Sequence, residues 1–262
     1  MRCDSEKKDD NYDFFDNIVD YIEKEENAIS EVISDQSCSC CESFSAMSTD
    51  MFKNTETAKR ICVQFVKLFG LLSTLKEKRI RDSNYKKDGA FLNYWTNMQI
   101  SNNMNNQKKC VQDFYDDIEN HCIQSYQLDS LSDFSYDINN DDINNLNILY
   151  DLYKKYNKIN GIITKQSEEP EKLKLYCCDN CFDGYKLIRS SCIGLQNKFC
   201  DQLNKFKQKY EDLYTIVEGK GEIFSEHFKR LPEDNNISII TTSVLGSAVG
   251  LTSLYFLLHK VT

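Results

Sequence analysis

Apolar side chains recur at every third or fourth position through most of this chain and nowhere alternate long enough to argue a sheet. The longest series runs Cys181, Tyr185, Ile188, Cys192, Leu195, Phe199, Leu203, Phe206, Tyr210, Leu213 and Val217. Read as one element, it predicts a helix over 178–217, roughly 40 residues and ~55 Å long, whose stripe docks several shorter helices. Glu168, Glu169 and Pro170 mark the loop before it, and Gly219 and Gly221 its end. Upstream, Ile61, Phe65, Leu68, Leu72 and Leu75 form a broad stripe that predicts a helix central to the core. Residues 12–34 carry Phe15, Val19, Ile22, Ile29 and Ile33 at mostly helical spacing. Phe91, Tyr94, Trp95 and Met98 share a face, and the only tryptophan on it reads as a core anchor. Two further helices are expected from Val111, Phe114, Tyr115, Ile118 and Cys122, and from Leu149, Leu152, Tyr153 and Tyr156. Between them SDFSYDINNDDINN is poor core material and predicts a solvated surface loop.

One segment departs from the amphipathic pattern. From Asn235 to Leu258 the chain holds 24 residues without a charged side chain. At ~1.5 Å rise each, such a run exceeds the ~30 Å hydrocarbon thickness of a bilayer. Its serines and threonines can bond back to backbone carbonyls, and Gly246 and Gly250 form a G-x-x-x-G pair suited to packing membrane helices. The expectation is a transmembrane helix over 237–258, with 222–236 as juxtamembrane linker and 259–262 as a short or truncated cytoplasmic end. Glu233 and Asp234 before the run, with His259 and Lys260 after it, orient residues 1–221 outward or into a lumen. The opening residues MRCDSEKKDD and the interrupted apolar stretch after them lack a signal-type hydrophobic core.

Charge removes one class of partner. The formal net charge is −9, with lysines spread among carboxylates, so no basic stripe exists for nucleic acid. Only 2 prolines and 9 glycines in 262 residues favour long helices. The fold class expected is therefore all-α: an elongated, disulfide-stabilised helical bundle ectodomain followed by the single C-terminal transmembrane helix.

Twelve cysteines all precede the apolar run, which suits an oxidising compartment. The structural set is Cys38, Cys40, Cys41, Cys62, Cys110, Cys122, Cys177, Cys178, Cys181, Cys192 and Cys200. If 178–217 is one helix, Cys192 and Cys200 lie ~12 Å apart along its axis and cannot bridge each other. The same objection separates Cys110 from Cys122. Long-range disulfides joining the clusters 38–41 and 177–181, and the lone helical cysteines, to neighbouring helices are expected. A rival reading stays open, in which Cys38, Cys40 and Cys41 with Cys178 and Cys181 supply a tetrahedral zinc site.

No catalytic constellation stands out. His121 adjoins Cys122, but adjacent residues do not face each other on a helix. Asp116–Asp117 and Asp141–Asp142 lack the loop pattern of a calcium site, and no Gly-rich phosphate loop is present. Catalytic residues, cofactor sites and resident metals are therefore all expected to be none, and the chain is read as non-enzymatic.

The succession CVQFVKLFGLLSTL, FLNYWTNMQI, ILYDLYKKYNKINGII and YCCDNCFDGYKLIRSSC, with the apolar run last, resembles the Plasmodium interspersed repeat proteins, a variant-antigen superfamily of malaria parasites. The likeness covers essentially the whole chain. It implies a helical, disulfide-containing domain displayed on or exported into infected erythrocytes, with roles in antigenic variation and adhesion to a host-cell surface receptor. It also implies that Cys62, Cys178, Cys181, Cys192 and Cys200 are structural and that Trp95 is a core residue. Contacts are expected from loops at 83–88, 101–107 and 129–145, with the lipid bilayer as the other partner and oligomeric state left open. The competing expectation is an intracellular membrane-anchored scaffold without an external ligand.

Overall fold

The structure is a computed structural model that describes residues 12–30, 39–48, 51–103, 110–126, 131–164, 170–177 and 181–233. Among these residues every regular element is helical and none is a strand. The chain divides into two compact units, residues 1–154 and 155–262.

In the first unit a short 3-10 turn, Asp13–Asn17, leads into α1 (Ile18–Ser30). There follow α2 (Ser39–Met47), α3 (Thr55–Leu71), α4 (Ser73–Lys76), α5 (Tyr85–Asn103) and α6 (Val111–Tyr126). A second 3-10 turn, Leu131–Phe134, precedes α7 (Asn140–Thr164), which runs on into the second unit. The start of α3 is set by Asn54, whose Oδ1 accepts the Thr57 backbone N–H at 2.8 Å and satisfies a donor of the first turn.

The stripe Ile61, Phe65, Leu68, Leu72 and Leu75 is buried, as its spacing predicts. The helix enclosed on all sides is instead α5. Its residues from Asp88 to Met98 are buried without a break, Asn93, Thr96 and Asn97 among them. Such a helix has no solvent face, so its polar side chains must find partners inside. Tyr21 stacks on Phe91 at 4.4 Å and Phe14 on Tyr94 at 5.4 Å, while Phe65 meets Trp95 at 6.3 Å. Trp95 is 1% exposed, the core anchor its position suggested.

The Asn- and Asp-rich patch is only in part the solvated loop its composition suggests: Asp133, Asn139, Asp141 and Asn144 are exposed. Leu131 and Ser135 are buried, and residues 140–145 already form the first turns of α7. Two asparagines of α5 hold this strap. Asn93 Oδ1 accepts the Tyr136 N–H at 3.2 Å while its Nδ2 donates to the Tyr136 carbonyl at 3.1 Å. Asn97 Nδ2 donates to the same carbonyl at 3.1 Å, and its Oδ1 accepts the Ile138 N–H at 2.9 Å. The side-chain amides thus supply hydrogen bonds that a neighbouring strand would otherwise provide. Phe134 lies over Gly89 so closely that a Cβ there would sit 2.1 Å from the ring. Gly89 is glycine because the strap needs that space. The expected contact loop 83–88 is likewise altered, since Tyr85 onward belongs to α5 and Asp88 is buried.

The second unit holds the end of α7, a 3-10 turn Pro170–Lys172, α8 (Leu173–Tyr176), α9 (Asp183–Ser190), α10 (Lys198–Gly219) and α11 (Glu222–His227). Leu203, Phe206, Tyr210, Leu213 and Val217 form the buried stripe of α10. Tyr210 organises its neighbours: Phe182 packs at 5.0 Å, Phe228 stacks at 5.1 Å, and its hydroxyl donates to the Lys229 carbonyl at 2.7 Å.

Two expectations need correction. The single helix over 178–217, from which an elongated bundle was inferred, does not exist. It is two helices of 8 and 22 residues separated by the turn 191–197, and Leu195, assigned to its buried stripe, is 58% exposed. The transmembrane part of the fold class is not found either, since among the described residues no helix is long and apolar enough to cross a membrane. The longest helices, α7 and α10, carry Asp151, Lys154 and Lys158, and Lys205, Glu211 and Asp212, so they are amphipathic and not uniformly apolar. The run 237–258, with Gly246 and Gly250, lies outside the described residues.

Candidate functional site: a buried four-cysteine cluster

Three helices of the first unit converge on sulfur. Cys40 and Cys41 are consecutive on α2, so their side chains leave the helix about 100° apart and reach different neighbours. Cys41 bridges to Cys62 in the middle of α3, and Cys40 to Cys122 near the end of α6, across 21 and 82 residues of sequence. The two bridges touch: Cys62 Sγ lies 4.0 Å from Cys122 Sγ, and all four sulfurs fall within 4.8 Å of one another. Cys41, Cys62 and Cys122 are fully buried and Cys40 is 7% exposed.

Apolar rings on the same three helices pack against one another. Phe114 of α6 meets Phe44 of α2 at 5.6 Å and Phe65 of α3 at 5.3 Å, both edge-on. Such pairs contribute about 0.5–1.5 kcal/mol each beyond the area they bury. Among the described residues His121 is not paired with a thiol. Its Nδ1 lies 2.9 Å from Ser43 Oγ, and its neighbour Cys122 is committed to a disulfide.

The remaining cysteines are distributed as follows. Cys110 and Cys181 are disulfide-bonded. Cys177 is a buried thiol 3.7 Å from the Tyr210 hydroxyl, and burial pushes its pKa up against the opposing pull of Tyr210 and the Lys229 backbone. Of the zinc set proposed from 38, 40, 41, 178 and 181, Cys38 and Cys178 lie outside the described residues, while Cys40 and Cys41 are each bridged to another helix.

Cys192 and Cys200 do bridge each other, against the sequence expectation. Their Cα atoms are 5.5 Å apart because the chain turns between them. Gly194 takes φ +75°, in the left-handed region that favours glycine, and Asn197 restarts the helix by accepting the Cys200 N–H at 2.8 Å. Ile193 and Leu195 on this closed turn are 51% and 58% exposed. The threes and fours across Cys192, Leu195 and Phe199 concealed the break, whereas Ser190–Ser191, Gly194 and Asn197 were its legible signal.

Sequence reasoning also missed two buried carboxylates. Glu25, 3% exposed, accepts from Trp95 Nε1 at 3.1 Å and the Tyr150 hydroxyl at 2.6 Å, with Lys154 Nζ at 3.2 Å. Asp88 accepts from the Tyr21 hydroxyl at 2.7 Å and from Thr74 Oγ1. Burial first, and then Glu25, drive the Tyr150 pKa well up; burial followed by Asp88 does the same for Tyr21. Glu25 stands on the face of Ile18, Tyr21, Ile22 and Ala28, and that position was the available clue. Both carboxylates have their acceptor capacity engaged by structural donors, which makes them core fasteners. A cavity of about 80 Å³ beneath the strap, lined by Phe69, Leu75, Tyr85, Leu131 and Phe134, falls well below the ~300 Å³ of a small metabolite pocket.

No family model, no curated protein and no solved structure matches the chain.

Proposed function

We propose that the chain is a non-enzymatic antigen of the Plasmodium interspersed repeat kind, whose cross-linked helical body presents exposed side chains to a host-cell surface receptor. The observation that carries the proposal is the density of disulfides. Cys40–Cys122, Cys41–Cys62 and Cys192–Cys200 are bridged, and Cys110 and Cys181 are bonded as well. Such bridges form and persist in oxidising surroundings, where a displayed protein resides, and are rare in a reducing cytosol. A body pinned at these points keeps its core while solvent-facing residues change, which is the physical requirement for a variable antigen. The Cys192–Cys200 turn holds Ile193 and Leu195 outward with part of the ordering entropy of binding already met.

Two measurements test the reading together. Antibody to the oxidised domain should label intact, unpermeabilised infected cells, and the purified oxidised protein should bind host cells saturably. I193D/L195D should weaken that binding while leaving the helical circular dichroism unchanged. Labelling seen only after permeabilisation, with no saturable binding to host cells, would remove the proposal.

A further inference from the structure

We propose that the Cys40, Cys41, Cys62 and Cys122 cluster is a tetrahedral zinc site in the reduced protein, so that one set of residues cross-links α2, α3 and α6 either as two disulfides or through Zn²⁺. Two disulfides need not share a location, but these do, with the four sulfurs all within 4.8 Å of one another. A ZnS₄ centre with ~2.3 Å bonds requires sulfur–sulfur edges of about 3.8 Å. The Cys62–Cys122 separation of 4.0 Å is already close to that edge. Opening each bridge frees its two sulfurs to move apart toward the remaining edges. The bridged Cα pairs, 5.1 and 5.5 Å apart, leave the side chains converging on the space between.

The chemistry of the donor set points to zinc. Four sulfur donors and no oxygen or nitrogen select a borderline-soft ion with tetrahedral preference. All four sulfurs come from buried residues, and that burial limits access by water and competing ligands. By contrast, the Cys192–Cys200 pair belongs to no such cluster among the described residues.

The redox step balances with a dithiol or phosphine as reductant. Each disulfide accepts two electrons and two protons to give two thiols, while a dithiol becomes a disulfide or a phosphine takes oxygen from water to become its oxide. Zn²⁺ then replaces the four thiol protons, which leave to solvent, and the centre carries a net charge of two minus. Reoxidation is by a small-molecule disulfide, two equivalents of which take up four electrons and four protons to give four thiols as the two protein bridges form. It expels the ion, because a sulfur bonded to sulfur no longer offers a thiolate. A chain still reduced after synthesis would in this way keep α2, α3 and α6 together before its bridges form. This inference stands apart from the receptor-binding proposal and survives its failure.

The test uses the full chain, reduced with a phosphine under argon and titrated with Co²⁺ and then Zn²⁺. The expected result is one Co²⁺ per chain at this cluster, showing thiolate-to-cobalt charge transfer and intense tetrahedral bands that Zn²⁺ displaces. C62S and C122S should weaken that binding by roughly tenfold or more, and C192S/C200S should leave it unchanged. Because a serine variant can lose its fold, alkylation followed by mass spectrometry of the reduced wild-type chain gives a second readout. Added Zn²⁺ should slow labelling of Cys40, Cys41, Cys62 and Cys122 together, leaving Cys192 and Cys200 unprotected. Labelling of the four that zinc does not alter, or a cobalt spectrum that persists in folded C62S and C122S, overturns the proposal.

Discussion

Truncating Glu25 to alanine removes the acceptor shared by the Trp95 indole and the Tyr150 hydroxyl, deep between α1, α5 and α7. Each stranded buried donor costs about 1–3 kcal/mol. Lys154 adds little, because its side chain is 37% exposed and can turn to water. The sum for Glu25→Ala is about 3–5 kcal/mol, in the range of other losses that break a buried charged network. Glu25→Gln keeps the volume and one carbonyl acceptor, so it should cost less, about 2 kcal/mol. Urea unfolding of the oxidised protein measures this directly, and the only tryptophan stands at the site, so its emission reports the first unit without interference. The midpoint should fall with the slope unchanged. A cycle with Trp95→Phe, which removes the indole N–H, should give a coupling of about 1 kcal/mol or more. A loss below about 1 kcal/mol for Glu25→Ala, with no coupling to position 95, would refute the assignment of Glu25 as the shared buried acceptor.

Other outcomes follow from the same physics. Gly89→Ala would put a methyl group 2.1 Å from the Phe134 ring, so it should destabilise by about 1–3 kcal/mol and displace the strap. Adding Phe134→Ala should recover part of that loss, and thermal melts of the two single variants and the double variant decide it. Burial raises the phenol pKa of Tyr94, Tyr115 and Tyr150 above the ordinary 10.0, so the unfolded chain releases these protons first. Their contribution is complete below pH 10 and declines as pH rises beyond it. In an alkaline titration, tyrosinate absorbance from this group should therefore appear together with loss of helical dichroism, and ionisation well ahead of unfolding would contradict it.

Much of the core was readable because burial on a helix repeats with the helix itself. Positions 61, 65 and 68, then 114, 115 and 118, then 203, 206 and 210, are buried where their spacing says. Periodicity failed where two short helices happened to remain in phase across a turn. The stripe through Cys192 and Leu195 looked continuous, yet the chain reverses there at Gly194 and closes a disulfide. Composition failed at the strap, because Asn93 and Asn97 supply from α5 the hydrogen bonds that an Asn-rich segment cannot find locally.

By itself the sequence determined that the described elements would be helices, which of their faces would be apolar, and that Trp95 would lie inside. These are consequences of backbone geometry repeated every 3.6 residues, and neighbours in sequence suffice to express them. Only the tertiary structure decided which cysteines meet, that Glu25 and Asp88 are buried with partners, and that α5 is the enclosed helix. Cys40, Cys41, Cys62 and Cys122 come together because α2, α3 and α6 pack around shared aromatic rings. A contact across 82 residues depends on where separate helices come to rest, and no local period records that.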